Sequence, residues 1–132
     1  MIIKNDRNEF FEIKIEKVNE EFPDNYNVTL NAKSSFITLT KKTFALKSTL
    51  SKLLFVLTRL SKNKKGSFSV ESFSYNDDFS LDVRFEESGQ TVIHSYIKSS
   101  EDIGNECDIC FLTDSSYLEK ALEELKKELT VM

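Results

Sequence analysis

The sequence predicts an α+β fold in two layers: a mainly antiparallel sheet of about six to seven strands carrying two helices, in the order βββ-α-ββββ-α. Three observations predict it. Apolar and polar residues alternate with period two through much of the first forty residues and again from 67 to 112. Two stretches switch to the helical period, one in mid-chain and one near the end. The chain has only three glycines and one proline, and they fall between these stretches. Short elements joined by tight turns favour hairpins, and helices gathered on one face of such a sheet bury both. At 132 residues the chain has the length of a single domain, 1–132. A domain of that size buries roughly two-thirds of its unfolded surface, enough for a core without disulfides or metals.

The elements follow in order. In "FFEIKIEKV", Phe11, Ile13 and Ile15 alternate with Glu12, Lys14 and Glu16, the pattern of a half-buried strand. Pro23 opens a turn. Tyr26, Val28, Leu30 and Ala32 line one face of a second strand, and Ile37 and Leu39 belong to a third. Apolar parity switches across Lys33 to Ser35, which places a hairpin turn there. Leu50, Leu53, Leu54, Leu57 and Leu60 then form one helical stripe. Ser48 or Thr49 is the expected cap, and Gly66 the expected stop. "SFSVESFSY" carries a parity slip at Ser72 that suggests a bulge. "FSLDVRF" points Phe79, Leu81, Val83 and Phe85 inward and Ser80, Asp82 and Arg84 outward. "ESG" turns the chain at Gly89, and "TVIHSYI", apolar on both faces, suits a central strand. After a charged loop around Gly104, "CDICFL" is the last strand. The final helix has a Ser116–Glu119 capping box and a stripe of Leu118, Leu122, Leu125 and Leu129, with Ala121 beside it.

Composition excludes several classes. Charge interrupts the N-terminal segment every few residues, so no secretory signal is expected. The longest apolar run, Leu53 to Leu57, is far too short to span a membrane. The expected location is cytoplasmic, where thiols stay reduced. Net charge is −4 but unevenly spread. Of the 18 bases, eight lie between Lys41 and Lys65, a segment with no acid; the other ten face all 22 acids, a balance of −12. Such asymmetry orients charged partners.

Cys107 and Cys110 make a C-x-x-C, the spacing of redox and zinc motifs. Redox motifs place the attacking thiol at a helix N-terminus, whereas this pair sits in a strand pattern. Residues three apart on a strand point to opposite faces, so the two thiols cannot share an ion or a disulfide. A structural zinc site also needs about four ligands. His94, the one histidine, is expected as a core or rim residue beside Val92 and Tyr96. A general base needs a nucleophile and an orienting acid, and no G-x-S-x-G, P-loop, H-E-x-x-H or dinucleotide fingerprint occurs. The expectation is therefore a protein without enzyme activity, cofactor or metal. The informative surface is acidic. Asp77, Asp78, Asp82, Glu86 and Glu87 fall along one hairpin, and Glu101, Asp102, Glu106 and Asp108 follow on the next strand and its loop. Most charge runs are solvated faces; the sharper expectation is a surface docking on a basic partner, such as the substrate cleft of a nuclease. The eleven phenylalanines are expected mainly in the core.

From Phe10 to Leu129 the layout resembles the small bacterial immunity proteins of the WapI type. The resemblance rests on the opening strand "FFEIKIEKV", the pair "YNVTLNAKSSFITLT" and the leucine-rich helix "LSKLLFVLTRL". It continues through the hairpin "GSFSVESFSYNDDFSLDVRF", a further strand pair and the amphipathic helix "SYLEKALEELKKEL". These proteins are antitoxins of polymorphic or contact-dependent toxins. The resemblance implies a non-enzymatic cytoplasmic protein that neutralises a cognate toxin domain by stoichiometric occlusion, with no membrane partner. The alternative expectation is a nucleic-acid-binding or regulatory module using the basic helix 48–65, which the net acidic balance disfavours.

Overall fold

The computed structural model describes residues 1–35, 37–70, 79–98 and 106–131, the side chains of Glu106 and Cys107 excepted. Among these residues the elements are β1 (Ile2–Lys4), β2 (Phe10–Val18), β3 (Asn25–Lys33), β4 (Thr38–Leu46), α1 (Lys47–Asn63), β5 (Gly66–Val70), β6 (Phe79–Phe85), β7 (Gln90–Lys98), β8 (Glu106–Asp114) and α2 (Ser115–Val131). The α+β class and the succession of strands and helices follow the sequence pattern. The strands divide into two four-stranded antiparallel sheets, ordered β1-β2-β3-β4 and β5-β6-β7-β8, rather than forming one sheet of six or seven. Every strand pairs with its neighbour in sequence, so each half of the chain closes on itself to either side of α1. β1 is the added strand; three residues are too few for a periodicity to show.

Both sheets and both helices contribute to one core. Phe11 on β2 stacks on Phe79 on β6, with ring centroids 5.3 Å apart, and so joins the two sheets. Leu50, Leu53 and Leu57 of α1 and Leu118, Ala121, Leu122 and Leu125 of α2 are buried against it, as the leucine stripes require. Burying each such leucine stabilises the fold by about 1.5–3 kcal/mol relative to exposure. The β1 and β8 ends are stitched together. Asn5 Nδ2 donates to the Leu112 carbonyl at 3.0 Å, and the Thr113 hydroxyl donates to the Lys4 carbonyl. The Met1 ammonium donates to the Ile13 carbonyl at 2.9 Å and to Glu128 at 2.7 Å, tying α2 to the N-terminal sheet.

The turns at Pro23 and Gly89 form where expected. Asn25 N–H donates to the Phe22 carbonyl at 2.9 Å, and Gly89, at φ +90°, donates to the Glu86 carbonyl at 3.0 Å. The hairpin between β3 and β4 also forms, closed by Ser34 N–H on the Ile37 carbonyl at 2.9 Å. The helix ends differ. β4 runs through Leu46 straight into α1, and neither Ser48 nor Thr49 caps it. The Lys47 amide is instead satisfied by the Asp24 carbonyl, 2.9 Å away in the β2–β3 turn. Lys64, not Gly66, ends α1: it takes the left-handed conformation, and its N–H donates to the Leu60 carbonyl at 2.8 Å. Gly66, at φ +99°, opens β5. At α2 the cap is Asp114, whose carboxylate accepts the Ser116 amide at 3.2 Å; Ser116 already lies within the helix. The expected bulge at Ser72 and the loop around Gly104 lie outside the described residues.

Candidate functional site

The C-terminal sheet turns Phe79, Leu81, Val83, Ile93, Ile97, Ile109 and Phe111 into the core. Strand alternation therefore presents Asp82 and Arg84 of β6, Val92, His94 and Tyr96 of β7, and Asp108, Cys110 and Leu112 of β8 on its solvent face. Asp82 stands opposite His94, and His94 opposite Cys110. The imidazole lies between two carboxylates: Nε2 is 3.1 Å from Asp108 Oδ1, and Nδ1 is 3.6 Å from Asp82 Oδ2. His94 is thus a rim residue, and two of the sequence-predicted acids converge on it. All three side chains are more than two-fifths exposed. Exposed pairs of this kind contribute about 0–1 kcal/mol, so their placement matters more than their stabilising effect. Each carboxylate keeps lone pairs free to accept hydrogen bonds from an incoming cation.

The other acids are distributed differently. Glu86, just past β6, accepts from Arg84 Nη2 at 2.8 Å and Nε at 3.0 Å and is partly neutralised. Glu106 stands opposite Lys98 in the register. Asp77, Asp78, Glu101 and Asp102 and the Glu106 side chain lie outside the described residues. Cys110 is exposed on the solvent face, within a strand as the spacing predicted. Among the described residues, no group of three His, Cys, Asp or Glu is arranged to hold a metal. An open polar cleft lies where the β1–β2 turn meets β8 and α2, lined by Asn5, Asp6, Glu9, Asp114 and Tyr117 among others. Three of its polar side chains bond within the cleft: Asn5 Oδ1 accepts the Arg7 and Glu9 amides at 3.0 and 3.1 Å, and Tyr117 donates to Asp6.

Three surface phenylalanines are missed by sequence reasoning. Phe11, Phe79, Phe85 and Phe111 are core, but Phe22, Phe44 and Phe55 are exposed. Phe55 is 69% exposed on the outer side of α1, in line with exposed Lys52, Arg59 and Lys62. The signal was present in the spacing: 52, 55, 59 and 62 recur at three and four residues, off the leucine stripe. No helix among the described residues is long and apolar enough to cross a membrane.

No curated protein matches the chain. A family model described as the Immunity protein WapI-like family matches residues 1–131. That span takes in both sheets, both helices and the acidic face together, and the chain belongs to the WapI-like immunity protein family.

Proposed function

We propose that this chain neutralises a cognate toxin domain in the cytoplasm by stoichiometric occlusion, without catalysis and without a cofactor. The family match over residues 1–131 carries this reading. The docking surface is the acidic one, made by Asp77, Asp78, Asp82, Glu86, Glu101, Asp102, Glu106 and Asp108. The convergence of Asp82 and Asp108 on the exposed face of the C-terminal sheet supports it. An acidic face speeds encounter with a basic cleft, such as that of a nuclease, and penalises partners of the wrong sign. The apolar contacts Val92 and Leu112 beside the acids provide area for a drier interface centre.

The test is co-expression with the toxin domain that this reading expects to be encoded directly upstream of the chain's gene. Growth should be restored, and the two purified proteins should form a complex with fixed stoichiometry. Asp82→Lys with Asp108→Lys should weaken that complex without lowering the melting temperature. Failure of the unaltered chain to rescue or bind sinks the reading; binding that ignores the double reversal removes the acidic face from it.

A further inference from the structure

The acidic face leaves the opposite charge unexplained. Between Lys41 and Lys65 the chain has eight bases and no acid, and the structure gathers Lys52, Arg59 and Lys62 on the exposed stripe of α1, with Phe55 between Lys52 and Arg59. Single exposed apolar side chains are ordinary. Phe55 stands out for its setting, an aromatic ring 69% exposed on a helix that carries no acid. Aromatic residues and arginine are enriched at protein interfaces and dominate their energetics.

The basic helix runs directly into the sheet that carries the acidic face. The stripe ends at Lys62, and exposed Lys64 and Lys65 lead directly into β5, the outer strand of the C-terminal sheet. Gly66 stands opposite Phe85, one residue before Glu86, and Ser69 stands opposite Asp82. β5 both contacts α1 and pairs with β6, the strand that carries Asp82.

We propose that the toxin-docking surface continues around β5 onto α1, where Phe55 is the anchoring side chain and Lys52, Arg59 and Lys62 meet an acidic patch of the toxin around an apolar socket. This rests on the immunity reading. Nucleic acid fits the stripe less well: single-strand modules stack successive bases on several rings, and α1 has one aromatic residue, Phe55. A lipid surface needs an apolar helix face, and that of α1 is in the core at Leu50, Leu53 and Leu57.

The experiment measures affinity for the purified toxin domain encoded directly upstream, using the unaltered chain and three variants that change only exposed residues. Phe55→Ala should weaken binding by about 30-fold or more, the level of an interface hot spot. Lys52→Glu with Arg59→Glu should do the same, chiefly through a slower association rate that depends on salt. Lys126→Glu, on the exposed side of α2, should change affinity by less than about twofold. Melting temperatures confirm that each variant is folded. If the toxin binds but ignores the α1 variants, the extension onto α1 is overturned while the immunity reading stands. If the unaltered chain does not bind the toxin, both fall. A parallel titration with single- and double-stranded oligonucleotides that saturates, and is lost in the same variants, would assign the stripe to nucleic acid and overturn the proposal.

Discussion

The Tyr117 hydroxyl donates to the Asp6 carboxylate across the seam where the N-terminal sheet meets α2. That hydrogen bond, and then the negative charge of Asp6, favours the neutral phenol and raises the Tyr117 pKa above the ordinary value of about 10. The sign follows: with the folded pKa raised, the contact stabilises the protein fully below about pH 10 and is lost as pH rises through the raised value. Ultraviolet titration of the phenolates should show one tyrosine ionising late, and Asp6→Asn should bring it back toward about 10; an unchanged titration would remove the contact. Single side chains were legible where they faced a periodic core and obscure where they met something distant. Leu53 and Phe79 are buried as their stripes require. The pairing of Asp6 with Tyr117, 111 positions apart, leaves no mark in local spacing.

At the scale of elements, the bodies of strands and helices were readable and their ends were not. The capping box beginning at Ser116 points to that residue as the cap of α2, yet Asp114 two residues earlier holds the Ser116 amide. Asp114→Ala should therefore cost about 1 kcal/mol in denaturant unfolding, whereas Ser116→Ala, on the helix surface, should stay within about 0.5 kcal/mol. The start of α1 was hidden for a physical reason: Leu46, whose side chain accepts no hydrogen bond, stands at the cap position, and a carbonyl from the distant β2–β3 turn holds the first amide. The two glycines separate the same way. An added Cβ at Gly89 meets nothing within 4 Å, so Gly89→Ala bears only the strain of a positive φ, roughly 1–2 kcal/mol. At Gly66 the Cβ would also lie 3.1 Å from Leu60 Cδ2, so Gly66→Ala should be the more destabilising of the two.

For the whole molecule, the α+β class was visible and the division into two sheets was not. Inward-facing residues alternate identically whether strands join one sheet or two, so periodicity fixes faces but not partners. What joins the sheets is side-chain packing, above all Phe11 on Phe79. A double-mutant cycle with Phe11→Leu and Phe79→Leu should show a coupling of about 0.5–1.5 kcal/mol, the usual worth of an aromatic pair. Unfolding should be a single transition that near-ultraviolet and far-ultraviolet circular dichroism report together. Zero coupling and two transitions would mean that the halves fold separately. The acidic face was partly legible for a related reason: alternation put Asp82 and Asp108 outward, but only the register of β6, β7 and β8 brings both to His94.

Cys110, in the motif that first suggested redox chemistry, lies exposed across from His94 and two residues from Asp108. With Cys107→Ser it becomes the chain's one thiol. A small environment-sensitive dye attached there would sit inside the proposed docking face without altering any of its carboxylates. Its emission would report, in real time and for either partner charge, whether that face is covered when a toxin arrives.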